Sequence, residues 1–237
     1  MDIYRPQPQA SAIGVRVDVR AIMKEVYLWM TLGLVTSAVV ALVFAVTGLT
    51  AAIFPVLIIA PFAQIGLVWY LSARIQKMEA QRAARLFLVF AGVMGITLST
   101  IFFWASLADI YLALFATGAM FAAMSVVGYT TQVDLSRLGS LLFMALIGLI
   151  VASLVNLFLA SQTLYWIVSY AGVLIFVGLT AYDTQWIKRN AEQIQLQGVN
   201  SGATVVRQIA IIGALKLYLD FINLFLFILS IIGNRQR

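Results

Sequence analysis

The chain has 237 residues, of which 63% are hydrophobic and only 10% charged. Soluble domains carry about 25% charged residues, so a globule of this composition would expose apolar surface it cannot cover, and lipid is the solvent that fits. There is no cysteine and no histidine, which excludes disulfides, thiolate or imidazole metal sites and Ser-His catalytic pairs.

Residues 1–24 are polar and contain Pro6 and Pro8. They read as a disordered cytosolic tail rather than a signal peptide, since no small-residue cleavage site follows the first apolar span. Seven spans follow, at about 25–47, 52–74, 85–105, 110–129, 138–159, 164–186 and 209–232, each close to the ~20 residues that cross a hydrocarbon core. Residues 25–232 thus form one membrane domain, and 233–237 a short basic tail. The expected fold is an all-α integral membrane protein.

The net charge of +6 sets topology rather than signalling nucleic acid, because the basic residues fall between spans. Linkers 48–50, 106–109 and 160–163 carry no Lys or Arg. The opposite side carries Arg5, Arg16, Arg20, Lys24, Arg74, Lys77, Arg82, Arg85, Arg137, Lys188, Arg189 and Arg207. This asymmetry places the N-terminus in the cytosol. Trp29, Trp69 and Trp186 then lie near the inner surface, and Trp104, Tyr111, Tyr165 and Trp166 near the outer one. Arg235 and Arg237 go against the rule if the last span crosses; it reads as crossing, since 217–232 holds only one charge. The stretch 188–208, with Gln193, Gln195, Gln197, Asn200 and Ser201, reads as a flexible surface loop. Gly148, Gly172 and Gly178 read as close-packing sites, and Gln64, Thr97, Ser99, Thr100, Ser153 and Asn156 as interhelical hydrogen-bonding groups.

Ionisable groups within spans are costly and need a reason. In the last span Gly213, Lys216, Asp220, Asn223 and Ser230 share one helical face. That stripe must face the bundle interior or a wet cavity, so the last helix is expected at the centre, with six around it. A Lys216–Asp220 pair that only fixes packing is the plain alternative. In the sixth span Asp183 lies between Thr180 and Thr184, five residues before Lys188; a solvated helix-end carboxylate is the alternative there. Arg74 ends the second span, as a headgroup anchor would. Depth tests the pairing of the two aspartates. If the last helix starts in the cytosol and enters the membrane near Gly213, both carboxyls lie about 8–11 Å deep and can meet.

Three segments carry a family resemblance. Tyr182-Asp183-Thr184-Gln185-x-Ile187 resembles the Asp-Thr-Gln element of the transmembrane Bax inhibitor motif family. Leu217-Tyr218-Leu219-Asp220-Phe221-Ile222-Asn223-Leu224-Phe225 resembles its seventh-helix signature, and Leu71-Ser72-Ala73-Arg74-Ile75 a third element. The segment from Met23 to Thr31 is similar to the entry into the first helix of bacterial members. The resemblance implies seven helices with the last at the centre, and a calcium leak gated by pH. It implies that Asp183 and Asp220 form the sensor and bind calcium, with Arg74 as the latch that binds or releases them. Two such carboxylates share a proton and titrate as a pair. Lys216 departs from the family signature; with Asn223 it is a residue that would modulate the site, and it would compete with calcium. No cofactor is implied beyond calcium as the bound or carried ion. The expected setting is a bacterial plasma membrane, with the lipid bilayer and calcium as partners.

Three rival readings remain. Bacterial members are also associated with modulating a membrane-bound protease, so the chain is alternatively an interaction protein that acts through its tail without transport. Seven helices with a lysine in the last suggest a retinal protein, but the aspartate follows the lysine rather than preceding it. An enzyme is disfavoured, since no nucleophile-base pair is visible without His or Cys.

Overall fold

The computed structural model describes residues 18–53, 60–74, 78–196 and 203–234. The tails 1–17 and 235–237, with Arg5, Pro6, Pro8, Arg16, Arg235 and Arg237, lie outside the described residues, as do Ile75, Lys77, Gln197, Asn200 and Ser201. Every described element is helical. In chain order they are α1 (Val19–Val46), a single turn at Leu49–Ala52, α2 (Ala60–Arg74) and α3 (Ala80–Leu98), which tightens into a 3-10 turn at Ser99–Phe103. Then come α4 (Leu107–Thr130), α5 (Ser136–Leu159), α6 (Gln162–Leu196) and α7 (Ala203–Asn234). Among the described residues, α1, α3 with its 3-10 turn, α4, α5, α6 and α7 are the 6 helices long and apolar enough to cross a membrane. The second expected span appears as the 15 residues of α2; residues 54–59 before it are outside the description.

Helix starts follow local chemistry. Asp18 caps α1 by accepting from the Arg20 N–H at 2.9 Å. At α4, Ser106 and Asp109 form a reciprocal capping box. The surface is apolar, as lipid requires: Phe115, Leu157 and Phe158 are all exposed. Enclosure is unequal, with 6% of the apolar stretch of α5 buried against 50% of that of α7. Helix α7 packs on α6, α1, α4 and α3, while α5 packs chiefly on α6.

The stretch 188–208 departs from the expected surface loop, because α6 continues to Leu196 and α7 begins at Ala203. Gln193 and Gln195 lie on the exposed side of an amphipathic pair. Ile187, Ala191, Ala210 and Ile211 are fully buried inside it, in one cluster with Ile22, Met23 and Val26 of α1. Helix α1 likewise starts six residues earlier than expected, and those extra turns bury Ile22 and Met23.

Small residues set the close approaches. A Cβ on Gly33 would sit 2.5 Å from the Phe87 ring. One on Gly95 would sit 2.5 Å from the Ser37 carbonyl, and one on Gly128 would strike the Ala181 backbone, so α4 and α6 touch main chain to main chain. Gly139 lies against the Tyr182 ring, Gly172 against Phe227, Gly178 against Leu142 and Gly213 against Ile187. Gly148, expected at a close contact, faces open space on the exposed side of α5. The pairs Gly172–Phe227 and Gly213–Ile187 fix the antiparallel register of α6 and α7.

Candidate functional site

That register brings the charged residues of the last two helices together. Lys216 lies one turn beyond Gly213 on α7 and Asp183 one turn before Ile187 on α6. The Lys216 ammonium donates to Asp183 Oδ1 at 2.7 Å. Its Nζ also sits 4.8 Å above the Trp186 ring, one turn along α6. Asp220, the i,i+4 neighbour of Lys216 on its own helix, lies within electrostatic and hydrogen-bonding reach of the Asp183 carboxyl. Both aspartates are buried, at 6% and 4% exposure. Among the described residues Asp220 Oδ2 has no hydrogen-bond partner. Lysine thus chooses the acid across the interface rather than the one on its own helix, leaving two acids and one base in a small volume.

The cluster lies at one end of a cavity of about 1140 Å³ between α5, α6 and α7, with Val68 of α2 also on its wall. Phe143, Leu149, Leu157, Phe176 and Phe227 make most of the lining apolar. Ser140, Ser153 and Asn223 add oxygen atoms. Asn223 reaches the cavity while its amide donates to the Leu219 carbonyl at 2.8 Å. Arg74 closes α2 and is exposed, and among the described residues no ion pair joins it to Asp183 or Asp220.

The weaker polar residues serve packing. Gln64 on α2 donates to Thr97 Oγ1 on α3 at 2.7 Å, and Thr50 donates to Ser99 at 2.9 Å. Thr100, Ser153 and Thr180 hydrogen-bond their own helices. The Asn156 side chain accepts from the Ser161 N–H where α5 turns into α6.

Sequence reasoning missed a staple beside the cluster. The Gln185 amide accepts from the Leu135 N–H at 2.9 Å and donates to the Val133 carbonyl at 2.8 Å, holding the α4–α5 connection at both ends. Lys188 donates to the Tyr129 carbonyl, and Arg189 pairs with Asp134 at 2.6 Å. The Ser136 backbone N–H, then its hydroxyl, then Arg189 hold the Asp134 carboxyl down at about 2. A glutamine inside the Asp-Thr-Gln segment was the available signal.

Calcium, the ion the resemblance implies, takes six to eight hard oxygen ligands. Asp183 and Asp220 suit it in type, and among the described residues Asp220 Oδ2 is an acceptor without a partner. The set is small: among the described residues no group of three or more acidic side chains exists. Lys216 already holds one of the two acids.

The sequence profile described as "Inhibitor of apoptosis-promoting Bax1" matches residues 19–237. The inner membrane protein YbhL of Escherichia coli (strain K12) is 46% identical over 232 residues, covering 95% of this chain and 97% of that protein. An uncharacterized protein of Deinococcus radiodurans is 41% identical over 220 residues, covering 92% and 93%. One of Caulobacter vibrioides is 34% identical over 237 residues, covering 95% and 93%. A profile that spans the chain from α1 onward, and relatives matched from end to end, agree with the motifs around Asp183 and Asp220: this multi-pass membrane protein belongs to the Bax inhibitor family.

Proposed function

We propose that this protein is a pH-sensitive cation leak of the bacterial inner membrane, with calcium as the ion. Asp183 and Asp220 are its sensor and gate, and Arg74 is its latch. One observation carries the reading: two buried acids on neighbouring helices, within reach of each other, lie beside a single lysine that pairs with Asp183 at the end of a membrane cavity. Buried charge in a membrane is expensive and marks ion and proton pathways.

The charge count gives the mechanism. With both carboxyls ionised the cluster carries one net negative charge, Lys216 included. One proton makes it neutral. The pair takes up and releases that proton as a unit. The charged form draws a cation down the cavity, and it also draws the Arg74 guanidinium at the end of α2. Protonation removes both attractions and shifts the population of α2 positions. The reading places α7 at the centre of seven spans, with the N-terminus in the cytosol. Burial of α7 against α6, α1, α4 and α3 supports the first point, and the basic residues on one side support the second. No chemical step is assigned to the cluster; its role is transport. The inner-membrane setting follows from the name of the Escherichia coli relative.

Calcium flux into proteoliposomes across pH 5–8 tests this. Asp183→Asn and Asp220→Asn should each flatten the pH response, and Arg74→Ala should raise flux at the pH where the wild type is closed. Flux that is indifferent to all three substitutions sinks the mechanism.

A further inference from the structure

We propose that Lys216 is the specificity-determining residue of this site: a tethered cation that occupies Asp183, which calcium must displace in order to bind. The inference rests on the reading of the Asp183–Asp220 pair as the cation site, and it concerns which cation the site favours and how tightly.

Geometry carries it. The ammonium is 2.7 Å from Asp183 Oδ1, at ion-pair contact. Asp183, Lys216 and Asp220 are the only charged side chains among the described residues on the cavity wall. Their sum is therefore one negative charge with Lys216 in place and two without it. One negative charge matches a monovalent cation; a divalent ion requires the second acid, which lysine covers. Among the described residues Asp220 Oδ2 is a buried acceptor without a hydrogen-bond partner, so one acid of the pair keeps an unused oxygen beside the acid that lysine occupies.

Lys216 is also built to leave. Its side chain is 36% exposed while that of Asp183 is 8% exposed, so the base has somewhere to go and the acid does not. Four methylenes give it reach, and lysine is a point charge without the fork that locks arginine to a carboxylate. Trp186, already 4.8 Å from Nζ, offers a second resting place one turn along α6. Displacement of lysine keeps calcium binding weak. Weak binding suits conduction, which needs an ion to leave as readily as it enters.

Equilibrium calcium binding to the purified protein at fixed pH tests the proposal without any flux measurement. Lys216→Gln keeps a donor for Asp183 but removes the charge, and should tighten calcium affinity about tenfold or more. Lys216→Arg keeps the charge and should bind calcium no better than wild type. The unmodified protein gives a second measurement: calcium should change Trp186 fluorescence as the ammonium moves, and Trp186→Phe should remove that change. Calcium affinity in Lys216→Gln equal to wild type overturns the proposal, as does calcium binding to neither protein. If affinity is unchanged while flux still depends on Asp183 and Asp220, only this inference falls. If affinity tightens while flux ignores the aspartates, the gate falls and this inference stands.

Discussion

Tyr218 shows how much one buried hydroxyl organises here. It is fully buried on α7, edge-on to Phe87 and Phe90 of α3. Its hydroxyl shares a 2.6 Å hydrogen bond with Ser37 on α1, which donates to the Ala91 carbonyl on α3 at 2.7 Å. Three helices meet at that point. Tyr218→Phe keeps the ring and leaves Ser37 its carbonyl acceptor, so it should cost only about 1 kcal/mol, read as a lower unfolding midpoint in detergent. The acid pair two residues on was legible in the sequence, because an aspartate in a nearly chargeless run is conspicuous. The partner of Lys216 was not. Spacing along one helix suggests Asp220, four residues away, whereas the structure gives Asp183. The choice depends on the register between α6 and α7, which is set by Gly213 against Ile187 and Gly172 against Phe227. Side chains that interlock across helices leave no periodic mark.

At the level of elements, α6 and α7 are longer than hydropathy suggests. Amide-rich segments read as loop, yet Glu192 is 3.7 Å from Lys188 one turn away, and the apolar side of the same turns is buried. Burial of that stripe outweighs the weak loop signal of its polar face. The turns where α6 runs past its expected span hold the α4–α5 connection through Gln185, Lys188 and Arg189. Asp134, in that connection, belongs to a different pH range from the proposed gate. Its carboxyl is held down at about 2. A lowered value means that any stabilisation from its ionised form is fully present above the ordinary carboxylate range. It is lost progressively as pH falls from that range through about 2. Between pH 5 and 8 its charge does not change. Asp134→Asn should therefore leave the midpoint of the flux–pH curve where it is in wild type, and a shifted midpoint would place part of the sensor in this connection.

Across the whole molecule, the helical membrane class was plain from composition, because a chain with 10% charge and seven apolar runs has few other solutions. The enclosure of α7 was foreshadowed by its polar stripe. The slight enclosure of α5 was not, since hydropathy does not separate a lipid-facing helix from a buried one. Topology is open to direct measurement because the chain lacks cysteine. Leu107→Cys at the start of α4 and Val133→Cys beyond its end are both on exposed positions. In intact cells an impermeant thiol reagent should modify the first and spare the second until the cytosolic face is opened. The reverse pattern would invert the proposed orientation.

The unbroken course of α6 has a mechanical consequence. Asp183, Gln185 and Arg189 ride on one rigid rod, within about 9 Å along its axis. A rod cannot rearrange at one end and stay still at the other. Any rotation of α6 that accompanies an altered occupancy of Asp183 must drag the stapled 131–135 connection with it. The interior of the protein thereby gains a pointer in the exposed 131–135 connection, where water, solutes and other macromolecules can reach it.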